Sequence, residues 1–369
     1  MSDSFFLRWI GPGSLGGVHL GLWLKLLSQN GWAIAPRYLA RAAFITGVAT
    51  MNSVGRGVER VRFGRAINRA VIHPPLFVLG AWRSGTTHLF NLLCQDDRFA
   101  FPTTFQVTNP HTCLGTEEWL APIHQRFYPA TRQIDNMKMG VREPWEDEFA
   151  ICAMSGLSPL LSWVFPKNYR LYDKYIDFSE VSAAGVDCWK QALLQFARKL
   201  SLKYDKPLVL KSPFHTARVR LLLEAFPQAR FVYIHRHPHE VYASNLNLVR
   251  RAVAFVSLQR FDIDELSDRM ISTYKLLTET YLGQRSMIPR GRLVEIGFQD
   301  LEHSPVPTLR HIYEQLDLPA FDVAEPAIQR YLATLADYQK NVYPQIDAKT
   351  KSHLAREWKR SFEAWGYSE

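Results

Sequence analysis

Four short apolar runs, each ending in a polar cluster, constrain the fold of this chain more than any other feature. LFVLG (76–80) leads into RSGTT, PLVLK (207–211) into KSPFH, RFVYIHR (230–236) into RHPHE, and RLVEIGF (292–298) into FQDLEHS. Each run has the length of a buried strand, and each is followed by a segment with apolar residues at helical spacing, such as Leu89, Leu92 and Leu93 within 88–95. The other helical segments are 216–226, 239–249 and 306–316. Strand, helix and strand repeated in this way predict an α/β fold: a parallel sheet flanked by helices on both faces. Ligands of such sheets bind beyond the carboxyl ends of the strands, where the four polar clusters fall.

The first cluster is the most informative. GAWRSGTT (80–87) follows an apolar strand and opens a helix, the outline of a phosphate-binding loop. Gly80 and Gly85 permit a tight turn. The loop N–H groups and the helix dipole then favour one anion, with Ser84, Thr86 and Thr87 adding hydroxyl donors. A nucleotide-triphosphate loop has lysine after its second glycine, but this chain has Thr86 there, and its nearest cation is Arg83 within the loop. No acidic strand end stands ready to hold magnesium. The loop therefore predicts a metal-free anion site rather than ATP or GTP hydrolysis.

At this point the residues resemble a known family, the sulfotransferases that use 3′-phosphoadenosine 5′-phosphosulfate (PAPS). Arg83-Ser84-Gly85-Thr86-Thr87 matches that family's 5′-phosphosulfate loop. RHPHEVYAS supplies Arg236 and Ser244 at the spacing of its 3′-phosphate element, and LVLKSP supplies Lys211 at the end of the preceding strand. A later segment, Phe298-Gln-Asp-Leu301 followed by Pro305, Leu309, Ile312 and Leu316, is similar to a further family motif. LGAWRSGTTHL and LKSPFH are closest to the bacterial-type branch. The resemblance covers about residues 74–320. It implies a P-loop-like sulfotransferase fold, PAPS as co-substrate without a metal, and sulfuryl transfer to an acceptor hydroxyl, less readily to an amine. PAPS carries two separated anionic groups, so the chain needs two cradles: residues 83–87 for the 5′-phosphosulfate, Arg236 with Ser244 for the 3′-phosphate. Phe298 stands at the family's adenine-region position. Arg83 and Lys211 are the candidates for stabilising charge on the leaving phosphate.

The general base is open at this level. Where the animal cytosolic enzymes have a histidine two residues after the strand-end lysine, this chain has Pro213, and His215 follows. Other branches use a glutamate, and REPWEDEFA offers Glu146 first and Glu148 second. His88 is a further possibility. The family's usual glycine-rich C-terminal loop is absent. AREWKRSFEAWGY and YQKNVY (338–343) are the tail segments that could stand in for it, or else form a helical tail that closes the core.

Residues 1–72 read as a helical N-terminal extension to a sulfotransferase domain over 73–369, in which 100–206 is a lid or acceptor region rich in Trp and Phe. Apolar stretches at 17–27 and 38–54 are broken by Lys25, Arg37 and Arg41, too short for a spanning helix. Arg56, Arg60, Arg62, Arg65 and Arg69 follow, so the extension reads either as a helical cap or as a peripheral membrane element. The net charge of +9 suits an anionic partner. Its basic residues are dispersed and no nucleic-acid motif occurs, so nucleic acid is not expected. The aromatic-rich region favours an apolar small-molecule or lipid-linked acceptor. With no visible secretory signal and four cysteines (Cys94, Cys113, Cys152 and Cys188) that form no CxxC pair, the expectation is buried thiols in the cytoplasm, or at the inner face of its membrane. Two other functions fit parts of this pattern: a kinase-like P-loop phosphotransferase, and a non-enzymatic membrane-associated binding module.

Overall fold

The computed structural model describes residues 13–127, 131, 137–336 and 346–368. In chain order, the elements that bear on the site are α1 (Leu20–Gln29), α2 (Leu39–Arg69), β1 (Leu76–Leu79), α3 (Thr86–Leu93), α4 (Cys113–Gln125), α5 (Glu148–Ser155) and α6 (Ala183–Tyr204). They continue with β2 (Val209–Lys211), β3 (Arg230–His235), α7 (Pro238–Val256), α8 (Ile263–Gln284), β4 (Leu293–Gly297), α9 (Phe298–His303), α10 (Pro305–Gln315) and α11 (Lys359–Trp365). The chain forms two compact units. A helical unit comprises Met1–Ile72, Pro102–Asp205 and Arg250–Asp262, and a sheet unit comprises His73–Phe101, Lys206–Val249 and Ile263–Glu369.

All four apolar runs are strands of one parallel sheet in the order β2-β1-β3-β4. Every residue of β1 and β2 is buried, the pattern of strands covered on both faces. Leu76 and Val78 face one layer, where they join Leu89, Leu92 and Leu93 of α3 and Leu309, Ile312 and Leu316. Phe77 faces the other, stacked on Phe231 with ring centroids 5.6 Å apart and tilted against Phe226. Each such fully buried side chain contributes about 2 kcal/mol of apolar burial. Tyr233 of β3 stacks between Tyr281 of α8 and Trp365 of α11, so the C-terminal helix seals this layer.

The sheet order fixes where a ligand belongs. From β1 the chain passes to one side to form β2, then crosses back to form β3 on the other side. The carboxyl ends of β1 and β3 are therefore the topological switch point, the place where connections diverge and leave a crevice.

In the helical unit, Trp23 of α1 donates from Nε1 to Thr46 Oγ1 of α2 at 2.9 Å. Glu59 of α2 is buried, and Lys199 of α6 donates to it at 2.5 Å and to the Pro110 carbonyl at 2.5 Å. A buried ion pair survives the loss of water only with its remaining hydrogen bonds satisfied; the Leu114 N–H, at 3.0 Å from Glu59 Oε2, supplies another. No helix among the described residues is long and apolar enough to cross a membrane.

Three local expectations are corrected. The helix after β3 continues to Val256 instead of stopping at 249. After KSP the chain makes a 3-10 turn over Pro213–Ala217 before the helix Val219–Ala225, because Pro213 starts a helical turn without a donor and Ser212 caps it through the Phe214 N–H. Cys188 is exposed on α6, whereas Cys94, Cys113 and Cys152 are buried as expected.

Candidate active site

The turn from β1 into α3 is held in a shape that few sequences tolerate. Arg83 takes φ +66° and Gly85 φ +101°, both in the left-handed region. Gly80 has φ +143°, and a Cβ there would lie 2.5 Å from the Ile234 carbonyl oxygen, so β3 itself demands glycine. A Cβ on Gly85 would overlap the Phe298 ring. Phe298 thus packs directly on the turn of the loop.

The loop is anchored from both neighbouring strands. The Gly80 N–H donates to Thr216 Oγ1 at 2.9 Å, tying the loop to the turn that follows β2. The Ser84 hydroxyl donates to the Ala81 carbonyl at 2.8 Å. Asn245 Nδ2 donates to the Trp82 carbonyl at 3.2 Å, tying it to α7. The Trp82 ring meets Phe214 edge-on, with centroids 4.6 Å apart.

The candidate ligand-binding side chains of the sheet unit make two sets of contacts that meet through the loop backbone. Lys211, buried at the tip of β2, donates from Nζ to Thr87 Oγ1 at 3.1 Å. Arg83 donates from Nε to the buried Ser244 hydroxyl at 2.7 Å. Arg236, at the tip of β3, donates to the Arg83 carbonyl at 3.4 Å, and its guanidinium lies 4.3 Å over the Phe298 ring. Such a stack fixes a guanidinium plane without consuming its donors. Arg236 also pairs with Glu240 at 2.6 Å, an i,i+4 contact in which both side chains are partly exposed and which contributes only about 0.3–0.5 kcal/mol. An incoming phosphate can displace such a carboxylate.

Thr86 is buried at the first turn of α3, its methyl group near Gly80. Burial pushes the Cys94 thiol well up despite the nearby Lys211 charge, so it is not a thiolate nucleophile. Among the described residues no cluster of His, Cys, Asp and Glu could hold a metal ion.

The base candidates divide between the two units. His215, in the sheet unit, is fully buried and meets the Phe77 ring edge-on at 5.5 Å, on the core side of the sheet. Glu146 and Glu148 belong to the helical unit. Glu146 is half-buried, just before α5. Glu148 opens α5, fully buried, and accepts from the Ser158 hydroxyl at 2.6 Å.

Sequence reasoning did not find Thr216 or Asn245. Both lie beside motif residues, Thr216 five after Lys211 and Asn245 next to Ser244, and only the fold brings them onto the loop. The tail closes the core, one of the two roles the sequence left open for it: His235 Nδ1 and the Tyr367 hydroxyl lie 2.7 Å apart and Trp365 stacks on the imidazole. In the tail, Trp358 and Phe362 are core residues and Lys359 pairs with Glu363 at 3.6 Å. The segment 338–343 lies outside the described residues. A cavity of about 390 Å³ opens at the opposite, amino ends of β1 and β3, lined by Pro74, Arg98 and Arg230 among others, and includes none of the candidate residues.

Comparison with known proteins agrees with this arrangement. A model of the sulfotransferase family matches residues 74–322. The chain is 34% identical over 352 residues to the omega-hydroxy-beta-dihydromenaquinone-9 sulfotransferase Stf3 of Mycobacterium bovis and to that of Mycobacterium tuberculosis, covering 95% of this chain and 90% of each relative. Its fold is similar to the crystal structures of sulfotransferase STF9 from Mycobacterium avium (TM-score 0.71, 19% identity, 93% of this chain and 90% of that one) and STF1 from Mycobacterium tuberculosis (TM-score 0.65, 18% identity, 92% and 91%). A family match over residues 74–322 and 34% identity to a sulfotransferase over 95% of the chain make this protein a transferase and a member of the sulfotransferase family.

Proposed function

We propose that this enzyme moves the sulfuryl group of PAPS to a hydroxyl of an apolar, lipid-linked acceptor, working at the inner face of the cytoplasmic membrane. The observation that carries the reading is the set of contacts Lys211–Thr87, Arg83–Ser244 and Arg236–Arg83 across three adjacent strand tips. The two expected anion cradles adjoin through Arg83, and one bisphosphorylated nucleotide satisfies both.

In this reading Gly85, Thr86 and Thr87 receive the 5′-phosphosulfate with loop N–H groups and hydroxyls, while Ser84, which donates to the Ala81 carbonyl, holds the turn of the loop. Arg236 and Ser244 take the 3′-phosphate, and Phe298 flanks the adenine side of the cradle. The acceptor oxygen attacks sulfur in line as the bond from sulfur to the bridging oxygen breaks, and adenosine 3′,5′-bisphosphate leaves. Arg83 and Lys211 hold the negative charge that grows on the departing phosphate. A donor of this kind is worth about 3 kcal/mol in the transition state. The proton of the acceptor passes to a general base. The burial of His215 against Phe77 favours the carboxylates, and the Ser158 contact occupies one oxygen of Glu148, which leaves Glu146 as the first choice. No metal is required by this scheme.

The acceptor class rests on the relative that is 34% identical, whose name gives it a hydroxylated menaquinone derivative. Residues 100–206, which carry four of the chain's ten tryptophans, are proposed as the acceptor region. The test is transfer of labelled sulfate from PAPS into a lipid and small-alcohol extract by wild type and by Arg236→Ala. Label in an isoprenoid alcohol fraction, lost with Arg236→Ala, is expected. Incorporation untouched by that substitution would remove the 3′-phosphate assignment. Label confined to water-soluble acceptors would remove the lipid one.

A further inference from the structure

The longest helix of the chain carries a surface that sulfuryl transfer does not use. α2 runs for 31 residues, about 46 Å at 1.5 Å per residue. Its inner face buries Ala42, Ile45, Ala49, Asn52, Glu59 and Ile67. Its outer face is just as ordered. Met51, Val54, Val58 and Val61 recur at i, i+3, i+7 and i+10, and are 74%, 67%, 60% and 89% exposed. Traced back toward the start of the helix, the same row continues through Gly47 and Ala43 without a charge. A single exposed valine needs no explanation, but a row this long on one face does.

The row changes character at its C-terminal end. Arg62 and Arg65 lie four residues after Val58 and Val61, and Arg69 four after Arg65, all on the same side, and all three are exposed. Five of the last fourteen residues of α2 are arginine. The one acidic residue of the helix, Glu59, is turned inward and neutralised by Lys199. An apolar row ending in unbalanced cations is complementary to one kind of surface: a bilayer, whose interface accepts the valines and whose anionic headgroups accept the guanidiniums. A second copy seated on this face would meet the same arginines and no exposed acid of the helix. α4, docked on α2 through the Leu114 N–H and Glu59, exposes Trp119 and Ile123, one turn apart and 59% and 44% exposed, with the exposed Glu118 beside them; tryptophan favours a membrane interface.

We propose that the outer face of α2 docks the enzyme on an anionic membrane, the helix lying in the plane of the interface. The biological sense of this rests on the lipid-linked acceptor proposed above, but its test does not. The full chain is floated with vesicles of phosphatidylcholine and phosphatidylglycerol in equal parts, and with phosphatidylcholine alone. Wild type should float with the anionic vesicles and at least 10-fold less with the neutral ones. The triple change Arg62→Gln, Arg65→Gln and Arg69→Gln should weaken anionic binding roughly 100-fold, at about 1 kcal/mol per arginine. Val54→Asp, Val58→Asp and Val61→Asp together should abolish it. All six positions are exposed, so the variants should fold, and unchanged sulfate transfer to a short soluble alcohol checks this. Wild type that ignores anionic vesicles, variants that bind as wild type does, or sedimentation showing that the face instead pairs two copies would each overturn the proposal. Loss of transfer to every acceptor in wild type, with vesicle binding intact, would count against the enzymatic reading alone.

Discussion

The Nε of Arg83 donates to the hydroxyl of Ser244 at 2.7 Å, joining a loop residue to a helix 161 positions later in the chain. The hydroxyl accepts from Arg83 and keeps its own proton, which it can give to a phosphate. Ser244→Ala removes both. A hydrogen bond to a charged group contributes about 1.5–3 kcal/mol, so donor affinity should fall roughly 10- to 100-fold. Calorimetry with adenosine 3′,5′-bisphosphate and with adenosine 5′-monophosphate separates the parts. If Ser244 reads the 3′-phosphate, the bisphosphate loses more than the monophosphate; equal losses would make it only an anchor for Arg83.

Gly85 and Phe298 meet where the loop turns into α3, and there is no room between them for a Cβ. Gly85→Ala adds a clash with the ring to the cost of φ +101° in a non-glycine residue, together about 1–3 kcal/mol or more. Phe298 must move, and the Arg236 guanidinium stacked on it moves as well. Thermal unfolding and nucleotide affinity should both fall. Adding Phe298→Ala should recover part of the stability but not the affinity, because the backbone strain and the lost stacking surface remain. Full additivity of the two changes would argue against a shared contact.

The parallel sheet was legible because period and punctuation agree. Apolar runs such as LFVLG bury both faces, and glycine or proline follows at the turn. That residues 83–87, Arg236 and Ser244 would come together was legible because parallel strands present their carboxyl ends on one edge of the sheet; their role toward an anion is the proposal made above. What stayed hidden depends on long-range packing. Nothing local marks Thr216 as the acceptor of the Gly80 N–H, or Asn245 as a clamp on Trp82. The ring of Phe298, chosen as an adenine neighbour, also backs Gly85 and Arg236, a structural task that its sequence position does not announce. Cys188 was read with the other cysteines as buried, but a cysteine on an amphipathic helix takes whichever face its register gives it, and α6 turns it to solvent.

Lys211 sits with its ammonium in the protein interior at the tip of β2, its Nζ 3.1 Å from Thr87 Oγ1. A buried cation aimed at a loop hydroxyl suits charge that appears only in the transition state. Lys211→Met keeps the length and apolar stem of the side chain and removes the charge. The expected result is a fall in kcat of about 100-fold, near 3 kcal/mol, with little change in donor affinity or melting temperature. A rise in KM at constant kcat would instead make Lys211 a ground-state ligand.

Two histidines should set the acid limit of the fold. Burial pushes His111 down to about 3, helped by Lys199, Arg56 and His19, and burial pushes His235 down to about 4, against the pull of Glu295 and Asp300. Both folded values lie below the ordinary 6.5, so the unfolded chain takes up these protons first as pH falls. The stabilisation from keeping the rings neutral is complete above about pH 6.5 and is lost progressively as pH drops toward 4 and then 3. For His111 the loss is on the order of 3 kcal/mol by pH 4, at 1.36 kcal/mol per unit. Melting temperature against pH between 7 and 4 should fall steeply for wild type and less steeply for His111→Gln, whatever the starting stability of the variant. Parallel curves would mean that His111 is already charged in the folded protein and that its burial against His19 does not exclude the proton.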